Sequence, residues 1–351
     1  MKREIVIDGF AINDLSPCYV IAEIGANHQG EVSKCKELFK VAKECGVNAV
    51  KLQKRNNREL YTRTMFESPY ENRNSYGRTY GEHREFLEFD REQYIELQAY
   101  ARELDVTFFA TPFDFDSADF LAELDIPVYK IASGDLTNTP LIKHVAAFGK
   151  PLIISTGGGT MEDVVRAYDV AMAINPQLCI MQCTSGYPPE YSDLNLRVID
   201  TFRQSFPTTV IGYSGHDNGI AMPVAAYMQG ARMVEKHFTL NRTWKGTDQV
   251  FSLAPDGMRK LVRDLHRTHE ALGSPIKRRL PIEEDPIRKM AKKLVAARDL
   301  TAGAIVTRDD VAIRSPGDGL PPYELERLIG LTLERDIRQD EPFTPRDLHQ
   351  A

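Results

Sequence analysis

Along this chain, short apolar, β-rich runs alternate with stretches whose apolar residues recur at helical spacing. The runs that read as strands are Tyr19–Ile24, Ala49–Gln53, Thr107–Thr111, Val128–Ala132, Pro151–Ser155, Cys179–Cys183, Val210–Tyr213 and Ala231–Lys236. Helical patterns follow them, among them Val32–Cys45, Arg91–Leu104, Ser117–Leu124, Thr160–Ile174, Asn195–Ser205, Ile220–Gln229 and Asp256–Leu272. Eight strand–helix units without a Gly-rich dinucleotide fingerprint predict an α/β fold, a closed (β/α)8 barrel of the TIM type rather than an open doubly wound sheet. Ahead of them, Ile5-Val6-Ile7-Asp8-Gly9-Phe10 reads as a β-hairpin, placed to plug the bottom of that barrel.

Two segments break the alternation. Arg55 to Phe89 is too long for an ordinary strand–helix connection, and it carries Tyr61, Tyr70, Tyr76, Tyr80 and His83. Such a loop on a barrel shapes a pocket, or serves as a surface insertion or an oligomer contact. Later, Gly273-Ser274-Pro275 leads into Lys277-Arg278-Arg279 and Glu283-Glu284-Asp285-Pro286, a linker composition. From Ile287 the pattern becomes short strands and turns, beginning with Leu294–Ala297. The expected organisation is a barrel over 1–272, a linker over 273–286 and a small domain over 287–351. That last domain is poor in chemically strong residues and reads as a binding or lid module.

Bulk properties narrow the setting. The chain has 351 residues, enough for a large barrel and an added module, with 42% hydrophobic and 27% charged content. No apolar run approaches the ~20 residues that span a bilayer, and the N-terminus does not read as a signal peptide. Five cysteines without metal-type clustering suggest free thiols in the reducing cytoplasm. The formal charge is −6, and no basic run is interleaved with aromatics, so no nucleic-acid partner is expected. An acidic chain that binds an anion must gather its positive groups locally.

The strand ends carry more polar residues than a structural barrel needs. Strand seven ends Gly212-Tyr213-Ser214-Gly215-His216, and strand eight ends Glu235-Lys236-His237. Neighbouring parallel strands lie ~4.8 Å apart, so His216 and His237 can meet on one divalent ion. Lys51 and Lys130, with the hydroxyls of Thr111, Ser133, Ser155 and Ser214, make a cationic, donor-rich cup suited to a phosphate or a carboxylate-phosphate. Glu23 and Asp135 are candidate acid/base groups. The sum is an anionic phosphorylated substrate beside a metal-activated electrophile, which fits carbon–carbon bond formation with phosphoenolpyruvate. Lys130 also fits a Schiff-base nucleophile of a class I aldolase, although such an enzyme has no need of the histidine pair.

Together these motifs resemble the sialic acid synthase family, which condenses phosphoenolpyruvate with an N-acylmannosamine. The likeness runs through Ala22-Glu23-Ile24-Gly25-Ala26-Asn27-His28, Lys51-Leu52-Gln53, Thr111-Pro112-Phe113-Asp114, Lys130-Ile131-Ala132-Ser133-Gly134-Asp135, Ser155-Thr156-Gly157 and Cys183-Thr184-Ser185-Gly186-Tyr187-Pro188. It continues through Gly212 to His216, Glu235 to Phe238 and Gly246-Thr247-Asp248. It implies that Lys51, Thr111, Lys130, Ser133, Ser155 and Ser214 hold phosphoenolpyruvate. His216 and His237 would hold a divalent metal, typically Mn2+, with Mg2+ or Co2+ as alternatives. Glu23, Gln53, Tyr187 and Asp248 would position the sugar and the attacking water. The C-terminal module looks like the family's antifreeze-like domain, of β-clip type. In the family this domain sends an Arg to the partner subunit's sugar site in a domain-swapped homodimer, and Arg314 is the match.

There are departures from the family pattern. Asp135 stands where most members have Glu, Ser315 separates Arg314 from the Pro-Gly it usually precedes, and Gln249 replaces a His, a change expected to alter the sugar side. The Ser68–Phe89 segment resembles the branch that makes N-acetylneuraminate or its 9-phosphate more than the pseudaminic and legionaminic acid branches. Lys54, Arg55 and Arg58 read either as contacts to a 6-phosphate on the acceptor or as a solvated face. A catalytically inactive paralogue that binds carbohydrate or protein is the rival from another class.

Overall fold

The computed structural model describes residues 3–349 and divides the chain into two compact units, one ending at Gly273 and the other beginning at Ser274. The first unit opens with a hairpin of β1 (Glu4–Ile7) and β2 (Phe10–Asn13), paired antiparallel. Its Ile5, Ile7 and Ile12 are buried in the main core. The hairpin meets the beginnings of barrel strands: the Thr107 hydroxyl donates to Asp8 at 3.0 Å, and Phe10 packs edge-on to Tyr19. It therefore covers the N-terminal end of the barrel.

The eight barrel strands are β3 (Tyr19–Glu23), β4 (Ala49–Lys54), β5 (Thr107–Pro112), β6 (Tyr129–Ile131), β7 (Leu152–Ser155), β8 (Leu178–Cys183), β9 (Val210–Gly215) and β10 (Met233–His237). They form one sheet in the order β5-β4-β3-β10-β9-β8-β7-β6. The last strand, β10, pairs in parallel with both β9 and the first strand β3, so the sheet curls into a nearly closed barrel. These strands are continuous apolar runs because helices cover one face and the core fills the other. Helix starts follow ordinary capping rules. Asp90 and Gln93 form a reciprocal capping box, Thr160 and Asp163 another, and Asp114 caps Phe115–Glu123.

Most strand readings agree with the structure within a residue or two. The helix read from Asn195 begins only at Val198, behind a 3-10 turn at Tyr191–Asp193. The long loop after β4 is ordered by three short helices, Asn57–Leu60, Arg63–Phe66 and Tyr80–Phe86, and by an aromatic cluster in which Tyr70 and Tyr76 flank His83. Among the described residues, no helix is long and apolar enough to cross a membrane.

The second unit contains a 3-10 turn at Pro281–Glu283 and a helix at Glu284–Met290, so part of the segment read as linker is helical. Beyond it, β11 (Lys293–Ala296) pairs with β12 (Val311–Arg314), and β13 (Thr332–Leu333) with β14 (Leu348–His349). Its core is small and includes Leu294, Val306, Leu328 and Phe343. The unit repeats itself. Arg298 binds Asp310, which accepts from Thr307, and Arg335 binds Asp347, which accepts from Thr344. The two halves exchange equivalent bonds: Ala302 N–H donates to Asp336 and Gln339 N–H to Asp299, at 2.8 and 2.7 Å.

Candidate active site

The C-terminal strand ends open into a cavity of ≈ 670 Å³. Alternation along each strand decides which side chains enter it. On β4, Lys51 and Gln53 point in; on β10, Glu235 and His237 do. The neighbouring strands add Glu23, Thr111, Lys130, Ser155, Cys183 and Ser214. Ser133, just past β6, and Tyr187, His216 and Asp248 from the following loops complete the set. Twelve residues singled out from sequence thus share one cavity. Asp135 does not line it: the 3-10 turn Ser133–Asp135 directs its carboxylate to the Asn138 amide at 3.0 Å. Arg314 belongs to the second unit, where it pairs with Asp340 at 2.7 Å.

The floor is a buried chain of alternating charge. Lys51 Nζ lies 2.8 Å from Glu23 Oε2 and 3.4 Å from Glu235 Oε1, and donates to the Thr111 hydroxyl at 2.8 Å. Lys130 Nζ lies 2.7 Å from Glu235 Oε2. Glu23 Oε1 accepts from Gln53 Nε2 at 2.6 Å, and Gln53 Oε1 accepts from Arg55 at 2.6 Å. Burial works against every charge here, and the partners decide the outcome. Burial raises the Glu23 carboxyl despite Lys51, so Glu23 is the group disposed to hold a proton. For Glu235 burial is outweighed by Lys130 and Lys51, which hold it down at about 2. Burial lowers Lys51, but Glu23 and Glu235 outweigh it and the ammonium is strengthened. Burial dominates at Lys130, which is lowered against the pull of Glu235.

The lining therefore holds Lys51, Lys130, Arg55 and Arg84 against Glu23, Glu235 and Asp248. An acidic protein has assembled a locally cationic hole. Ser155, 2% exposed, has an Oγ without a hydrogen-bond partner, so the cup presents a buried donor to whatever anion enters. Gly157 lies directly behind the lining residues Ser133, Cys183 and Ser185, and its N–H donates to Ser133 Oγ at 2.9 Å.

The two imidazoles are 5.4 Å apart between ring centroids. Burial first, and the neighbouring His237 second, lower His216 to about 4. Burial likewise lowers His237, so both rings are neutral near pH 7. The His216 Nδ1 lies 3.1 Å from the Thr184 carbonyl, which fixes a tautomer with Nε2 free. His237 Nδ1 is buried without a hydrogen bond, 3.8 Å from Asp248 Oδ2. Among the described residues no group of three or more His, Cys, Asp and Glu side chains is arranged to hold a metal. The donor set fits an ion bound by two imidazoles, with its other positions left to substrate and water.

A second group of polar side chains converges on Gly25. A Cβ there would lie 3.1 Å from Glu23 Oε1, 3.2 Å from Gln53 Nε2 and 3.6 Å from Asp248 Oδ2, so those three groups share one small space. Tyr187 packs at a tilt against His216, with ring centroids 4.3 Å apart, and Phe251 meets His237 edge-on at 5.0 Å, giving the rim an apolar edge. The loop after β10 is tied to the long loop after β4 through Tyr76, whose hydroxyl donates to the Lys245 carbonyl at 2.7 Å. Gln249, expected to bear on the sugar side, does not line the cavity. It is fully buried, accepts from the Thr239 hydroxyl and donates to the Asn27 carbonyl, a structural tie beneath Asp248.

The lining also includes Glu235, Arg84, Ser185, Thr247 and Phe251, to which sequence reasoning assigned no role. Glu235 was within reach, because it precedes His237 by two positions and so shares its face of β10. Of the three cations considered for an acceptor phosphate, only Arg55 enters this cavity. Lys54 and Arg58 turn to a separate one, where they pair with Glu88 and Glu85.

Residues 38–277 match the NeuB family, and residues 293–349 match the SAF domain. The N-acetylneuraminate-9-phosphate synthase of Homo sapiens is 41% identical over 326 residues, 93% of this chain and 91% of that protein. The N,N'-diacetyllegionaminic acid synthase of Legionella pneumophila is 35% identical over 93% of this chain and 95% of its own length. Among solved structures, an N-acetylneuraminic acid synthetase from Leptospira borgpetersenii in complex with citrate superposes with a TM-score of 0.71 at 29% identity, covering 82% of this chain and 96% of that one.

Proposed function

The chain belongs to the NeuB family and is a carbon–carbon bond-forming transferase of the phosphoenolpyruvate-dependent type, and we propose that it condenses phosphoenolpyruvate with N-acetylmannosamine or its 6-phosphate. The products are N-acetylneuraminate or its 9-phosphate, and inorganic phosphate. The observation that carries this reading is the floor itself. Two buried lysines, the Ser155 donor and the Thr111 hydroxyl form an anion cup directly beside a pair of neutral imidazoles and a carboxyl disposed to carry a proton.

Lys51 and Lys130 hold and orient the phosphoenolpyruvate trianion, a proximity contribution. His216 and His237 would hold a divalent ion, Mn2+ in our reading, which when bound polarises the aldehyde of the open-chain sugar. Carbon three of phosphoenolpyruvate attacks that aldehyde carbon, and a C–C bond forms as the C=O π bond breaks. Glu23 gives its proton to the resulting alkoxide oxygen. Water then adds to the cationic carbon two, returning a proton to the Glu23 carboxylate. The bond from carbon two to the bridging oxygen breaks with its electron pair leaving on the phosphate, which also takes the proton of the new hydroxyl as carbon two becomes the ketone. Gln53, hydrogen-bonded to Glu23, keeps that carboxyl aimed at both events. Tyr187 and Asp248 flank the sugar.

Five free, buried cysteines support a reducing, cytoplasmic setting. We assign Arg314 to the sugar's N-acyl group in a domain-swapped homodimer; an Arg314→Ala variant that keeps full activity removes that assignment. The reaction itself is tested by phosphate release. Release that requires both phosphoenolpyruvate and the sugar supports the condensation. Trapping of a pyruvate adduct on Lys130 by borohydride overturns it in favour of a Schiff-base aldolase.

A further inference from the structure

Each imidazole of the cavity has a charged neighbour in the chain that turns the other way. β10 pairs with β9 in the register Glu235↔Ser214 and Lys236↔Gly215, and the next step of that register sets His237 beside His216. Glu235 and His237 line the cavity, whereas Lys236 between them faces away from it by the alternation of the strand. Asp217, which follows His216, does not line the cavity either. On the far side these two side chains meet. Lys236 Nζ lies 3.1 Å from Asp217 Oδ1 and also donates to the Asp217 backbone carbonyl, with the two side chains 1% and 0% exposed. Tyr213, on β9, donates its hydroxyl to the same Oδ1 at 2.7 Å. Gly215 leaves room for this knot: a Cβ there would come within 2.6 Å of Asp217 Oδ1 and 2.5 Å of the Tyr213 ring.

Stability alone does not explain the knot. A buried ion pair is often no more stabilising than well-packed apolar residues of the same volume. Here Asp217 Oδ2 is also buried without a hydrogen bond, which adds to the cost. What the pair supplies is a fixed distance. It joins the residue after His216 to the residue before His237. His216 lies just beyond the end of β9, and His237 Nδ1 has no hydrogen bond of its own, so the spacing of the two rings depends on the backbone that carries them. A divalent ion takes imidazole nitrogens at about 2 Å, so two of them must be held within about 4 Å of each other.

We propose that Lys236 and Asp217 are positioning residues for the imidazole pair: their ion pair sets the spacing of His216 and His237, and with it the affinity for a divalent ion. This rests on the reading of those histidines as metal ligands given above. Neither residue touches substrate, and the phosphoenolpyruvate cup does not depend on them.

The test is Mn2+ binding to chelator-treated full-length protein, read from the electron paramagnetic resonance signal of free Mn2+, with phosphoenolpyruvate affinity and the thermal midpoint measured on the same samples. Lys236→Met weakens Mn2+ binding by about tenfold or more, as partners that orient metal ligands do, and leaves phosphoenolpyruvate affinity unchanged. Lys236→Arg, which keeps the charge, restores part of the loss. Lys236→Met strands a buried carboxylate, so the second variant is Lys236→Met with Asp217→Leu. This pair removes both charges and is expected to keep the thermal midpoint near that of the wild type while Mn2+ binding stays weak. Wild-type Mn2+ affinity in the folded double variant overturns the positioning role and leaves the two-imidazole site standing. A parallel loss of Mn2+ affinity, phosphoenolpyruvate affinity and thermal midpoint also overturns it, because the pair is then a stability element only. A wild-type protein that binds no Mn2+ overturns the metal site and the positioning role together.

Discussion

The carboxylate of Glu235 lies 2.7 Å from the ammonium of Lys130, both buried in the cavity floor. The same carboxylate reaches Lys51 at 3.4 Å, so one acidic side chain offsets two buried cations. Removing one member of a buried pair strands the other, at a cost of about 3–5 kcal/mol. Glu235→Gln is expected to lower the thermal midpoint of the free protein by several degrees. Added phosphoenolpyruvate is expected to raise the midpoint more in the variant than in the wild type, because the trianion replaces the missing countercharge. Equal shifts in both proteins would contradict this role.

Gly157 tests the anion cup without touching a charge. A Cβ there would overlap Ser185 Oγ and come within 2.9 Å of Ser133 Oγ and 3.1 Å of Cys183 Sγ. Gly157→Ala is expected to raise KM for phosphoenolpyruvate about tenfold, equivalent to ~1.4 kcal/mol, with the acceptor KM little changed. A variant with ordinary phosphoenolpyruvate affinity would remove this wall from the binding site.

Acid sensitivity follows from His28. It is 3% exposed, its Nδ1 accepts from the Gly30 N–H at 3.1 Å, and it stacks on Phe89. Burial lowers it to about 3 from an ordinary 6.5. The unfolded chain therefore binds a proton that the folded chain refuses, so the stability from this group is complete above pH 6.5 and is lost as pH falls from there toward 3. The slope is ~1.4 kcal/mol per pH unit for one such histidine. Urea midpoints at pH 7, 6 and 5 check it. The decline is expected to be shallower in His28→Gln, compared with its own value at pH 7.

The second unit has its own test. Asp310 accepts from the N–H and hydroxyl of Thr307 and from Arg298, and Asp347 stands in the equivalent place with Thr344 and Arg335. Burial raises both carboxyls, but these donors outweigh it and hold them below the usual range. Asp310→Ala is expected to cost about 1–3 kcal/mol. Hydrogen exchange on the full chain should show the loss at Leu300 and Ile337, whose amides and carbonyls bond to each other, and not in the barrel. Loss spread evenly over both units would contradict it.

The barrel was legible because fully buried parallel strands write themselves as short apolar runs, and a period of two places Lys51, Gln53 and His237 at one end. Glu235 was harder to see, since a carboxylate inside an apolar strand reads as a strand residue until its lysine partners, 184 and 105 positions earlier in the chain, are known to face it. Arg84 was invisible for a different reason. It lies in the Arg55–Phe89 segment, whose short helices and aromatic packing follow no period. Asp135 was read as a site residue, and Gln249 as a departure bearing on the sugar side. Local bonds to Asn138, and to Thr239 and Asn27, turn them elsewhere.

The central claim is that carbon three of phosphoenolpyruvate joins the sugar aldehyde and that phosphate leaves with the bridging oxygen. Mass spectrometry of a reaction with phosphoenolpyruvate labelled with 18O at the bridge tests it most directly. The account predicts a product with the mass of the acceptor sugar plus pyruvate, free of label, and inorganic phosphate that carries the 18O. Label retained in the product, or no product of that mass, would contradict it.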